Sequence, residues 1–247
     1  MASVLKGMRG LATRIKDANV ADEHVWFKNL LLGILNSALL DYGYVGIAAK
    51  QESPYLAAWS CRCLLELKVI TTYVLASAKN AADFKDDFLI DMKEFWGALT
   101  DRHKATHAQL VATLSDLVEE SDKQMKKVLE SALQREVEQG PRTAATSAET
   151  EMYKQLMNEF GVKENAKPKQ SGEIARSISQ HEQFKPMFKV CSKIMHRTAL
   201  SIASSVSGGS LNAILPLLRD SAASELLSIR DGISKYFGER GVQPPTN

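Results

Sequence analysis

Three cysteines in 247 residues are too few, and too odd in number, for a disulfide framework. Proline and glycine are also scarce, at 7 and 14 residues. No proline falls between Pro54 and Pro141, and Gly97 is the only glycine between Gly46 and Gly140. Strand-like alternation bounded by turn residues does not occur. These absences exclude a β architecture and predict an all-α fold, a single multi-helix bundle of long antiparallel helices over residues 1–247. A chain of this length buries roughly 70–75% of its unfolded surface, so it needs neither a disulfide nor a metal staple.

Charge of one sign is lacking too. The 31 Lys+Arg against 29 Asp+Glu leave +2, which excludes a strongly basic nucleic-acid binder and a strongly acidic solvating chain. There is no Gly-rich phosphate loop, since Ser207-Gly208-Gly209-Ser210 has no neighbouring lysine and no preceding strand. Paired-carboxylate motifs and zinc-like cysteine spacings are absent as well. Cys61 and Cys63 stand two apart on a predicted helix and point to nearly opposite sides, so they cannot share a metal. We read Cys61, Cys63 and Cys191 as reduced thiols of a cytoplasmic protein, and expect no metal and no cofactor.

Residues 1–16 carry Lys6, Arg9, Arg14 and Lys16 without an acid, and these charges interrupt the apolar core that a secretion signal requires. The spacing of Leu5, Met8, Leu11 and Ile15 predicts an ordinary amphipathic first helix. Residues 198–218 hold no charge, yet their serines, Gly208-Gly209, Asn212 and Pro216 describe a helix end and a turn, so no membrane span is expected there.

Helices are predicted near 3–16, 21–50, 54–78, 82–138, 147–160, 172–181, 184–206, 210–218 and 221–238. Ser53-Pro54 is a start signal, with a capping residue followed by proline at the first helical position. Thr146 and Glu149 read as a capping box, and Gly161 as the end of that helix. The segment 82–138 is expected to break or kink around Gly97–Thr100. Residues 140–147 and 162–172 read as exposed linkers.

What is present concentrates on two helices. Residues 54–78 carry three charges: Arg62, Glu66 and Lys68. At 100° per residue Glu66 lies 40° from Arg62, and Tyr55 and Tyr73 lie within about 20° of it, while Lys68 falls on the far side. A helix apolar nearly all round is central and buried. Its ions must then meet other polar groups or line a water-filled cleft, because burying them alone costs several kcal/mol each. On the helix at 184–206, Ser192 and His196 project together beside Lys185 and Lys189, one turn apart.

An Arg-x3-Glu helix (Arg62, Glu66) followed by a Ser-x3-His helix (Ser192, His196 in CSKIMHRTALS) resembles a bacterial all-α family of unknown function. That family is itself similar to HEPN domains, the helical domains of many defence and toxin ribonucleases. The resemblance implies a bundle with a polar cluster between the two helices. HEPN ribonucleases carry an arginine, a polar residue, three more residues and a histidine, as RHKATH does here with Arg102, His103 and His107. What this implies is metal-independent RNA cleavage, in which histidine moves the proton of the 2′-hydroxyl or leaving oxygen and arginine stabilises the phosphorane charge. His103 and His107 also have the spacing of half a zinc site, but lack the glutamate of the metalloprotease version and read as solvated.

By segment, the charge is +4 over residues 1–16, −7 over 17–162, +5 over 163–197 and zero over 198–247. The basic stretch coincides with the Ser192/His196 helix. We therefore expect RNA or another anionic ligand there, with Arg62, Glu66, Ser192, Lys189 and Arg197 as binding residues and Arg102, His107 and His196 as catalytic ones. The alternative is a helical module without catalysis that dimerises or binds a protein, or that binds nucleic acid or a nucleotide through the basic segment 163–197.

Overall fold

The computed structural model describes residues 2–120, 123–163, 165–196 and 211–245. It is all-α, with no strand among the described residues. The helices are α1 (Ala2–Asp17), α2 (Val25–Lys50), α3 (Pro54–Ala76), α4 (Ala78–Glu120), α5 (Lys123–Gln139), α6 (Ala144–Glu159), α7 (Ser171–Ser177), α8 (His181–Met195) and α9 (Leu215–Arg240). The chain forms two compact units, one of Met1–Phe84 with Lys169–Asn247 and one of Lys85–Pro168.

The first unit is organised around α3. Its start follows the sequence signal: the Ser53 hydroxyl accepts from the Leu56 amide at 3.4 Å, and Pro54 opens the helix without a donor to waste. α3 packs against α2, α7, α8 and α9, and Ala57, Ala58, Cys61, Leu64, Leu65, Val69 and Val74 are buried beneath them. Each buried Leu or Val contributes roughly 1.5–3 kcal/mol over exposure. Met8, Leu11 and Ile15 of α1 enter the same core and Leu5 packs on it, as their spacing predicts. Residues 22–50 contain an 18-residue window of mean hydropathy 1.5, long and apolar enough to span a bilayer, and Phe27, Leu31, Leu35 and Ala38 of this helix are buried in the core.

The second unit has its own small core of Leu89, Ile90, Met157 and Val162. Gly161 ends α6 as predicted, with φ +70°. Its amide donates to Asn158 O at 3.1 Å and the Val162 amide to Met157 O at 2.8 Å, which brings Val162 onto Met157 as in a Schellman close.

Several predicted boundaries are corrected. α6 starts at Ala144 after Thr143, so Thr146 is no cap; it is buried inside the helix and its hydroxyl donates to Thr143 O at 3.0 Å. α4 runs unbroken through Gly97–Thr100, because one glycine inside a long helix costs only about 1 kcal/mol. The two helices expected at 210–218 and 221–238 are one, α9, since Pro216 sits in its first turn and nothing after it breaks the run. α8 ends at Met195, earlier than the predicted 206, and His196 is its C-cap in extended backbone (φ −76°, ψ 138°). Residues 197–210, with Arg197 and most of the uncharged run, lie outside the described residues.

A charged latch joins α3, the start of α4 and the strand of chain leading into α7. Lys169 Nζ donates to Tyr73 Oη and to Asp83 Oδ2, both at 2.6 Å, and Lys79 Nζ reaches the same Asp83 oxygen at 2.7 Å. Burial works to raise the Asp83 pKa, but the hydrogen bonds from Lys169 and Lys79 outweigh it and hold the carboxyl below its ordinary value. The stabilisation is therefore complete above the ordinary carboxylate pKa of about 4 and is lost as pH falls through the lower folded value. Asp83→Asn is expected to lower stability by about 1 kcal/mol at neutral pH, with the gap to wild type closing below about pH 4 in thermal melts. A gap unchanged down to pH 2 would remove the ionised latch from the account.

Candidate functional site

The polar residues of α3 are placed where its apolar partners leave room. Arg62 and Glu66, one turn apart, bond through Nε and Oε1 at 3.2 Å, with their side chains 25% and 29% exposed. Arg62 Nη1 donates to Ser192 Oγ of α8 at 3.5 Å, across 130 residues of chain. Its guanidinium lies over the Phe188 ring, 4.4 Å from the centroid, and Phe188 stacks on Phe184 at 4.8 Å. Ser171, the first residue of α7, donates to Glu66 Oε1 at 3.4 Å. Three helices thus meet at one salt-bridged cluster, held flat by an aromatic column. Arg62, Glu66 and Ser192 come together as the sequence predicts.

The cluster is electropositive at its rim. Lys185 and Lys189 of α8 are exposed, and His196 is exposed just beyond the helix. The His196 amide donates to Ser192 O at 3.0 Å. His196 is the C-cap: its φ of −76° is near the helical value, so its side chain leaves the backbone one turn beyond Ser192, as the Ser-x3-His spacing has it, and the chain departs from the helix only after it. The expected binding residue Arg197 lies outside the described residues.

RHKATH falls in the second unit, apart from these residues in the division of the fold. Arg102 is exposed on α4. His107 Nε2 sits 2.9 Å from Glu136 O and His103 Nδ1 2.9 Å from Arg142 O. A carbonyl can only accept, so each of these ring nitrogens carries its proton there. The pair therefore ties α4 to the end of α5 and the turn after it, in place of the solvated face expected for them. No group of three metal-ligating side chains occurs among the described residues.

Below the cluster, the thiols of Cys61 and Cys191 are fully buried and hydrogen-bonded to one another. That bond and burial push the Cys191 thiol far up, while Cys61, which accepts from Cys191 and Ser221, is the one favoured as thiolate. Cys63 is half-buried and pushed up to about 12, by burial first and then by the Asp41 and Glu66 carboxylates. A separate groove of about 340 Å³ lies between α3 and α9, lined by Lys68, Thr72, Ser228, Lys235, Tyr236 and Glu239. Its Thr72 hydroxyl is spent on Lys68 O at 3.0 Å.

Two features escaped the reading of the sequence. Ser171 carries no signal of its own. Asp41 does: it is the only charged residue between Lys28 and Lys50, and a lone carboxyl in so apolar a helix marks either a buried partner or a site.

The thiols give a direct check of this geometry. At pH 8 in the native protein, a disulfide reagent should leave Cys61 and Cys191 untouched and modify Cys63 at least about tenfold more slowly than a free thiol, with all three reacting once the chain is unfolded. Rapid native modification of Cys191 would contradict its burial.

Comparison with protein families, with curated proteins and with solved structures finds no match, so the residues alone carry the functional argument.

Proposed function

We propose that the chain is an RNA-binding helical module, with the Arg62–Ser192 cluster as its contact to a backbone phosphate. The observation behind this is the guanidinium itself. Arg62 is a quarter exposed, fixed by Glu66 and stacked on Phe188, with a serine hydroxyl beside it and Lys185 and Lys189 at the rim. A planar, pre-oriented fork with a neighbouring hydroxyl is suited to phosphate oxygens, and exposed lysines supply the salt-dependent attraction. Glu66 offsets one charge, so affinity rests on the rim as much as on Arg62. The all-α fold agrees with the HEPN-like character inferred from the two motif helices, and also with many other families.

A second reading, metal-independent cleavage of the bound RNA in a defence or toxin setting, is favoured by exposed His196 beyond the same helix. An imidazole there moves the 2′-hydroxyl proton while arginine charge stabilises the phosphorane. Arg102 and His107 are the alternative pair for this chemistry, although His107 Nε2 is engaged by Glu136 O.

Fluorescence anisotropy with a labelled single-stranded 12-mer, in EDTA, tests both. Wild type should bind, and Lys185→Ala with Lys189→Ala should weaken binding several-fold and reduce the salt slope by about 1 to 2, roughly one per phosphate contact. Arg62→Ala should lose at least tenfold if it still melts cooperatively. Binding that is absent at 50 mM salt, or unaltered in these variants, overturns the proposal. Gel analysis of the same mixtures decides cleavage: loss in His196→Ala supports the site near Ser192, loss in His107→Ala moves it to RHKATH, and RNA intact in wild type leaves binding alone.

A further inference from the structure

Within the second unit, α4 uses one of its faces and leaves the opposite one bare. On the inner face Leu89, Ile90 and Thr100 are buried, and His103 and His107 bond the carbonyls of Arg142 and Glu136. At 100° per residue, Phe88, Phe95, Ala98, Ala105 and Ala112 all lie within about 60° of the direction opposite Thr100. All five are exposed, Phe88 and Phe95 by 52% and 54%. The unit's own core cluster is Leu89, Ile90, Met157 and Val162, which is small for residues 85–168.

Two series on this outer face repeat at seven residues, the spacing of a coiled-coil seam: Phe88 with Phe95, and Ala98 with Ala105 and Ala112. Asp91, Arg102 and Gln109 stand between them. Large side chains therefore occupy the first half of the face and small ones the second. Phe88 and Phe95 are about 10.5 Å apart along the axis, and so are Ala105 and Ala112. A copy of the helix laid antiparallel over the face offers a bare methyl opposite both rings at once. Such a surface complements itself about a twofold axis, where one patch serves both subunits. A parallel copy would set ring on ring, methyl on methyl and Arg102 on Arg102. Charge favours the antiparallel register as well. With Phe95 opposite the partner's Ala105, Arg102 falls opposite the partner's Ala98 and next to the partner's Asp101. The two arginines and two aspartates then form a neutral group about the axis.

We propose that the outer face of α4 is a homodimerisation surface, paired antiparallel with the same face of a second copy so that Phe88 and Phe95 seat against the partner's Ala112 and the partner's Ala105. The polar positions set the register more than the affinity. This surface belongs to the second unit and is independent of the proposed RNA contact in the first.

Sedimentation velocity of the full chain over roughly 1 to 100 μM tests it, with thermal melts confirming that each variant is folded. Wild type should sediment as a dimer that dissociates on dilution. Phe95→Ala empties the seam and Ala105→Phe overfills it, so each should weaken the dimer about tenfold. The double variant exchanges the large and the small partner and should return to within about threefold of wild type. Leu110→Glu, at an exposed position of α4 off this face, should leave association unchanged. A chain that is monomeric throughout overturns the proposal. So does a dimer indifferent to both single variants, which places association on another face. A double variant no tighter than the single ones overturns the antiparallel register. Ala105→Phe alters only an exposed methyl, so the test stands even if Phe95→Ala fails to fold.

Discussion

Everything in the first unit depends on keeping water off α3. Its apolar residues lie around most of its circumference, so one neighbouring helix cannot cover it and α2, α8 and α9 each take a side, with α7 laid across one end. Burial of this kind is non-directional and tolerates many arrangements. The few polar groups on α3 narrow them, because each must find a partner or an opening.

Arg62 shows how that works. Its guanidinium faces Glu66 within its own helix, Ser192 and Phe188 on α8, and through Glu66 reaches Ser171 on α7. The same contacts that settle its charge also set the angle between helices. They leave it partly exposed, which a purely structural ion pair does not require. Lys169 with Tyr73 and Asp83 does the equivalent work at the other end of α3, where the chain returns from the second unit. Beside these two polar fasteners, Tyr55 and Trp59 of the same helix stay about 40% exposed.

Some of this was legible in the sequence because it is local. Ser53-Pro54 and Gly161 act through neighbours within four residues, and both helix boundaries fall where those residues put them. The periodicity of α3 gave away its burial, and the 40° between Arg62 and Glu66 anticipated their bond. Thr146 misled because a threonine inside a helix has the same spacing to Glu149 as one at its start, and its hydroxyl can serve the preceding carbonyl instead. The end of α8 at Met195 was not legible, because neither proline nor glycine stands between Pro186 and Gly208 to mark it. His103 and His107 looked solvated because nothing in the sequence places Arg142 and Glu136 carbonyls beside them.

The all-α class follows from the few glycines and prolines and the helical periods, which also single out α3 as the central helix with an ion pair on one face. These are properties of short windows, where backbone propensity and apolar spacing suffice. Which charges have partners is settled by the packing of distant helices. Ser171, Ser192 and Lys169 reach α3 across 96 to 130 residues of chain. Whether a polar group is satisfied depends on which helix arrives opposite it. That is why the scarcity of turn residues foretold helices, while the partners of their charges had to be read from their packing.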